Sequence, residues 1–259
     1  MCARKVEFFH IVDGFYHRDE VARMCADPTT RPEILMRLVD KRPWGRGPYP
    51  GTQPELLASN PGVPIKSLVR LLHGYTPEVL SNPAFRMHLI SNPSFLDELP
   101  VWSRAAIAGC PKTEERIIRY LAASRSQDVM VRVCAARNPE TPQDMLLDYV
   151  RHDWRVREAL TLNPRMPEDA QAKLARDKKR IVRCNLAERH DLLEETIEIL
   201  VTECPETVDS ELILNRAISD DVRWRVLDAL GFGDSRVNQR QRSQTLKRHR
   251  RRYRRYQTW

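Results

Sequence analysis

The chain has 259 residues, of which 41% are hydrophobic and 30% are charged, a balance typical of a globular protein whose helices each keep one solvated face. No apolar run approaches the ~20 residues of a membrane-spanning helix, and the charged residues near the N-terminus argue against a secretory signal. The scattered cysteines argue against a disulfide framework and a zinc site, so a cytoplasmic location without metal or cofactor is expected. They are Cys2, Cys25, Cys110, Cys134, Cys184 and Cys204.

The positive charge is concentrated at the C-terminal end. Residues 236–259 contain ten lysine or arginine residues and no aspartate or glutamate. The remaining 33 basic and 35 acidic residues give 1–235 a net charge of −2, against +8 for the whole chain. This separation predicts a near-neutral body that carries a cationic arm.

The N-terminal part begins with aromatic and charged residues and then enters a repeat. Residues 1–23 are predicted to cap the first repeat, because the terminal units of repeat proteins are atypical. The first copy is 24–40, in which Pro32 begins a helix. The Pro- and Gly-rich stretch 41–54 excludes a helix and predicts an inserted loop. Its aromatic residues are expected to pack on neighbouring helices, with a binding loop as the alternative.

Further copies of the repeat follow in 56–72, 78–99 and 105–122. Two Asn-Pro pairs stand close together in 78–99, at Asn82 and Asn92, which predicts a truncated unit. In 105–122 the slot of the Asn-Pro pair is taken by Cys110 and Pro111.

The most regular copies lie in 128–191. Pro139 and Pro164 occupy the same slot in two successive copies, and His190 occupies it in a third, degenerate copy at nearly the same interval. A last copy is identified in 220–234, which places the repeat domain at 24–234 and the basic tail at 235–259. Self-similarity at such a period indicates stacked supersecondary units, each unable to bury its apolar face alone.

Each unit is predicted to be a helix, a turn and a second helix. The residue before a proline avoids the α region, so the Asn-Pro pair ends the first helix. A second proline, Pro142 or Pro167, suits the first turn of the next helix. No alternating strand pattern is present, so the expected fold is an all-α solenoid of about seven helical pairs.

The repeated pattern VR-x-x-A-x-x-NP-x-TP-x-x-x-L-x-x-L-x-x-D resembles the leucine-rich repeat variant, which is related in shape to HEAT repeats. The resemblance implies a right-handed superhelix of short helices with a concave surface that binds a macromolecule, and it implies no activity. Some members of that family carry an N-terminal iron–sulfur cluster. Only Cys2 and Cys25 stand in that region here, so no cluster is expected.

Aspartate and arginine recur between the helices, as in Asp128 with Arg132, Asp153 with Arg157, Asp177 with Arg183 and Asp221 with Arg225. A residue that recurs in every unit serves what every unit needs, so these residues are expected to maintain the stacking register. The alternative is that some of these arginines line a concave face that binds a polyanion.

No pattern typical of a catalytic site is found, and the protein is not expected to be an enzyme. The enzyme alternative is a HEAT-like glycosylase for alkylated DNA bases, since Trp154 beside Asp153, or Trp224 beside Asp221, supplies the residue types of such a site. A purely protein–protein scaffold is the other alternative.

The tail carries the most specific functional signal. Its cations suit phosphates, and its aromatic rings suit stacking on bases, so RNA or DNA is the expected partner of the tail and a protein is the expected partner of the concave face. The alternatives are that the tail docks on the repeats as a cap, that it binds an anionic membrane surface, and that it is a localisation signal. The residues expected to bind nucleic acid are Arg240, Arg242, Lys247, Arg248, Arg250, Arg251, Arg252, Tyr253, Arg254, Arg255, Tyr256 and Trp259.

Overall fold

The structure is a computed structural model that describes residues 18–40, 52–92, 94–123, 128–203 and 211–229. Every regular element in these ranges is a helix, which confirms the all-α prediction for them. The chain divides into two compact units, 1–140 and 141–259. The N-terminal part of the predicted cap, most of the loop 41–54 with Trp44 and Tyr49, and the whole tail lie outside the described residues.

The described helices of the first unit follow one another with short turns. They are α1 (Arg18–Ala26), α2 (Pro32–Val39), α3 (Pro54–Ser59), α4 (Ile65–Ser81), α5 (Pro83–Ser91), α6 (Phe95–Glu98), α7 (Val101–Gly109), α8 (Glu115–Ala123) and α9 (Val129–Arg137). Helix α4 consists of two helical segments separated by a kink at Tyr75, whose φ of −132° and ψ of 37° are not helical. Pro77, which donates no backbone hydrogen bond, starts the second segment soon after the kink.

Prolines begin several of these helices, as the sequence predicts. Pro32, Pro54 and Pro83 each occupy the first helical position of α2, α3 and α5, where the missing N–H costs no helical hydrogen bond. The helices pack in the order of the repeat: α3 contacts α1 and α4, and α7 contacts α4, α8 and α9.

The second unit contains the most regular repeats. Its described helices are α10 (Gln143–Tyr149), α11 (Trp154–Thr161), α12 (Glu168–Ala175), α13 (Arg180–Ala187), α14 (Glu194–Glu203) and α15 (Asp220–Ala229). Helices two places apart in the chain contact each other, as α11 contacts α13 and α12 contacts α14. Consecutive helices such as α12 and α13 also contact each other. Their contacts bury a column of aliphatic side chains that includes Leu146, Leu160, Leu174, Leu186 and Leu200, each worth about 1.5–3 kcal/mol of transfer free energy.

Within each unit, asparagine side chains join a repeat to the preceding one, and each such connection is called a rung. In a rung the Nδ2 group donates to two backbone carbonyls of the preceding repeat, and Oδ1 accepts from a backbone N–H further along its own turn. Asn138, for example, donates to the carbonyls of Ala108 (2.8 Å) and Cys110 (2.9 Å) and accepts from Glu140 N (2.9 Å). The same pattern is found at Asn60, Asn82 and Asn215.

Arg189 takes the place of asparagine in one repeat. Its Nη1 donates to the carbonyls of Thr161 and Asn163, each at 2.7 Å, the same two positions that an asparagine amide reaches in the other repeats. Its remaining nitrogens hold the Asp191 carboxylate. The rung is therefore preserved although the Asn-Pro pair is lost.

The Asn-Pro pair at Asn92 is not a rung, which corrects the predicted truncated unit. Asn92 ends α5 and accepts from Ser94 Oγ at 2.8 Å. The repeat to which it belongs runs from the rung at Asn82 to the rung position at Cys110, and its second helix starts directly at Pro83. This interval is a full unit in which α5 is the second helix and starts without the usual turn.

Helix α15 corrects a second prediction. In the regular repeats the second helix starts shortly after the rung, at Gln143 after Asn138 and at Glu168 after Asn163. Because α15 starts at Asp220, at the same interval after Asn215, it is a second helix. Asp221 and Arg225 are therefore not equivalent to Asp153 and Arg157, which belong to a first helix and its N-terminus.

The longest helix among the described residues, α4, has 17 residues, and no described helix is long and apolar enough to cross a bilayer. In the same ranges, no group of three or more His, Cys, Asp and Glu side chains is arranged to hold a metal ion.

Candidate nucleic-acid interface

The loop that precedes α13 is held against α11 by a buried ion pair. Arg157, on α11, donates through Nε and Nη2 to the two carboxylate oxygens of Asp177, and through Nη1 to the carbonyl of His152. Only 3% of the Asp177 side chain is exposed. Asp177 Oδ1 also accepts from Lys179 N at 2.8 Å, so the same carboxylate fixes the start of the next helix.

The charge of Asp177 is stabilised despite its burial. Burial alone would raise the pKa of this carboxyl group, but hydrogen bonds from the Arg157 guanidinium and the Lys179 backbone N–H outweigh burial and lower the pKa. The same contact raises the pKa of Arg157. Both groups therefore stay charged and neutralise each other, so the pair does little to offset the charge of the exposed cations nearby.

The aspartate–arginine pairs connect consecutive repeats. Arg157 pairs with Asp177 of the following repeat, and Arg104 pairs in the same way with Asp128 at 2.8 Å. Asp153 instead caps α11, since its Oδ1 accepts from Arg155 N at 3.0 Å. Arg157 therefore links two consecutive repeats, which is the position expected of a residue that maintains the stacking register.

Trp154 lies at the N-terminus of α11 with two cations over its ring. The Arg155 guanidinium carbon is 5.1 Å and the Lys179 ammonium 5.7 Å from the ring centroid, both within the distance of a cation–π interaction. Trp154 is half-buried, while Arg155, Lys178 and Lys179 are exposed. These four residues, together with the exposed Arg151, are named the Trp154 patch.

The two segments that contain the Trp154 patch have an excess of positive charge. Segments 151–157 and 176–183 contain eight lysine or arginine residues, of which Arg176 pairs with Glu203, and two aspartates. Both aspartates are engaged, Asp177 with Arg157 and Asp153 with the start of α11 and, at 3.6 Å, with Arg155 Nη1. Clustered cations around an aromatic ring are typical of surfaces that bind the phosphates and bases of single-stranded nucleic acid.

The twelve residues expected from the sequence to bind nucleic acid all lie in 240–259, outside the described residues. Lys178 and Lys179 are not among the residues expected from the sequence, although the run Lys178-Lys179-Arg180 is a visible signal. Trp154 is expected there only as part of the alternative glycosylase-like site.

The two tryptophan–aspartate pairs considered for that site differ in their surroundings. Trp224 is 7% exposed, so its ring is not open to a base, whereas the side chain of Asp221 is 82% exposed. Asp153 is occupied with capping α11. The ring of Trp154 is partly accessible and carries cations.

No family model matches this chain, and neither a curated protein nor a solved structure matches it.

Proposed function

We propose that this protein is a non-catalytic adaptor built as a right-handed α-solenoid of the leucine-rich repeat variant type, which binds single-stranded nucleic acid or a nucleoprotein assembly. The observation that carries the proposal is the Trp154 patch, in which a partly accessible ring and exposed cations lie together on the second unit. A reducing, cytoplasmic environment suits the free cysteines of the described core.

The Trp154 patch supplies both contacts that single-stranded nucleic acid requires. Cation–π contacts restrain Arg155 and Lys179, so less side-chain entropy is lost when these cations meet phosphates. The accessible part of the ring offers a surface on which a base stacks, which is worth about 1–3 kcal/mol per base. A duplex hides its bases from such a ring, so single strands are the favoured ligand.

The basic tail adds a second contact region. Residues 236–259 supply ten cations together with Tyr253, Tyr256 and Trp259. If about six cations meet phosphates, the logarithm of the affinity falls against the logarithm of the salt concentration with a slope of about −4 to −5. The tail is proposed to supply most of the affinity and the Trp154 patch to select single strands.

The test is fluorescence anisotropy of a labelled oligouridylate and a labelled duplex, titrated with the full chain at several salt concentrations. Deleting 236–259 should remove most of the salt dependence and leave the melting transition unchanged. Trp154→Ala should weaken single-strand binding about tenfold without changing the salt slope, in line with the loss of one stacked base.

A charge reversal with a matched control separates the patch from general electrostatics. Lys178→Glu should weaken binding and reduce the salt slope by about one contact. Lys173→Glu makes the same charge change at an exposed position on α12 and should have little effect. Equal effects of the two reversals, together with an unchanged affinity of Trp154→Ala, would leave the patch without a role and favour a purely protein-binding scaffold.

A further inference from the structure

The irregular repeat of the first unit, which runs from Asn82 to Cys110, lines one side of a cleft. Its second helix, α5, starts directly at Pro83 and buries only Phe85 among its side chains. Leu89 and Ile90 of α5 line a cleft together with Leu80 and with Ile117 at the start of α8. Ile90 is 55% exposed, so this apolar surface is accessible to a partner.

Three cations stand around the apolar floor. Arg86, Lys112 and Arg116 line the cleft, and Glu114 is the single acid among its lining residues. Glu114 accepts from Arg116 Nε at 2.7 Å and from Arg86 Nη2 at 3.5 Å. Lys112 is exposed and makes no ion pair with any residue in the described ranges. The cleft therefore keeps a net positive charge.

We infer that this cleft is a docking site for an acidic amphipathic segment of a protein partner. Leucine-like side chains of the segment lie across the exposed edge formed by Leu89, Ile90 and Ile117, because the cleft is too small to take in a whole side chain, and its carboxylates face Lys112, Arg86 and Arg116. As when an amphipathic helix binds a partner surface, apolar anchors give affinity and flanking charges give orientation and specificity.

A nucleic acid is the less suitable occupant. Aliphatic side chains on the floor gain nothing from phosphates, and Glu114 places a negative charge between the cations. The cleft also lacks an aromatic ring on which a base could stack. The charge and the apolar floor together favour a peptide with one acidic and one aliphatic face.

The probe is a labelled acidic amphipathic peptide of about 14 residues, with leucine at helical spacing and glutamate elsewhere. Two further peptides serve as comparisons, one with the same composition in scrambled order and one with lysine in place of glutamate. The full chain is used throughout. Because the basic tail attracts any acidic peptide, the deciding quantity is the difference between matched variants.

Two pairs of substitutions define the cleft. Lys112→Glu is paired with Lys66→Glu, which makes the same charge change at an exposed site of α4 that does not line the cleft. Ile90→Asp is paired with Met87→Asp on the same helix, since Met87 is 62% exposed and lies outside the cleft. All four positions are exposed, so the fold should tolerate the changes, and thermal unfolding checks this.

The docking site predicts that Ile90→Asp and Lys112→Glu weaken peptide binding about tenfold, while Met87→Asp and Lys66→Glu change it less than about twofold, a free-energy contrast that anisotropy resolves readily. The scrambled and lysine peptides should bind more weakly than the probe.

Equal effects within each pair, or equal binding of the scrambled peptide, would overturn the inference. Oligouridylate binding that is lost in Lys112→Glu but kept in Lys66→Glu would assign the cleft to nucleic acid instead. Neither outcome bears on the Trp154 patch, whose variants lie in the other unit.

Discussion

The asparagine rung at Asn138 makes the strongest prediction about stability. Asn138→Ala removes two hydrogen bonds to the carbonyls of Ala108 and Cys110 and the acceptor of Glu140 N. Asn138 is 1% exposed, so water does not easily replace these partners. With about 1 kcal/mol for each hydrogen bond and an added penalty of about 1–3 kcal/mol for unsatisfied buried groups, the free energy of unfolding should fall by about 3–5 kcal/mol.

Asn92→Ala is the matched control, because it changes another asparagine that precedes a proline. Asn92 is half-buried and its side chain accepts from Ser94 Oγ, but it donates to no carbonyl among the described residues. Its replacement should cost less than about 1 kcal/mol.

The measurement is urea unfolding followed by far-UV circular dichroism, in which the Asn138→Ala midpoint should fall and the Asn92→Ala midpoint should stay close to that of the parent. A third variant, Asn138→Asp, turns the donating amide into an acceptor that faces two carbonyls, and it should be at least as destabilising as alanine. Similar costs at Asn138 and Asn92 would refute the reasoning. The asparagine would then act through turn preference before proline alone.

Three further outcomes are expected. Arg157→Ala leaves the Asp177 carboxylate buried without its partner and should cost about 3–5 kcal/mol in thermal unfolding. Combining Arg157→Ala with Asp177→Asn should recover part of this loss. A melting transition of the single variant that matches the parent would contradict the buried pair. The pKa of Asp177 is lowered from 3.8. The contribution of the ionised carboxylate to the free energy of unfolding is therefore present above pH 3.8 and is lost as the pH falls through the lowered pKa. The stability advantage of the parent over Asp177→Asn should shrink in acid titrations and stay constant at neutral pH. Arg189→Ala removes two hydrogen bonds to buried carbonyls and should cost about 2–4 kcal/mol in urea unfolding; Arg189→Asn should cost less if the rung is what matters, and equal costs would show that the pair with Asp191 dominates.

The sequence determined the local elements of this protein. The regular repeat interval, the prolines before α10 and α12 and the acids in the first turn of α12 are all readable in the chain, and the prolines and acids act on the backbone within one helical turn. For the same reason the sequence predicted helices and excluded strands in the ranges that the structure describes. The charge of the tail is likewise a property of composition alone.

Tertiary structure alone decided which of these local signals act between repeats. Asn82, Asn92 and Asn138 all precede proline, yet Asn92 donates to no described carbonyl while the other two each bridge two. A hydrogen bond across repeats depends on which backbone lies opposite, and neighbouring residues in the chain do not encode that distance. Arg189 shows the converse, since a different side chain makes the same two contacts because the same carbonyls face it.

The same reason explains the Trp154 patch. Trp154 and Lys179 are one repeat apart in the sequence, and stacking of α11 on α13 brings them together. The sequence shows the period and the cations, but only packing shows that one repeat's tryptophan lies beneath the next repeat's lysine. Burial separates Trp224 from Trp154 in the same way, because α15 is a second helix that turns its tryptophan into the core.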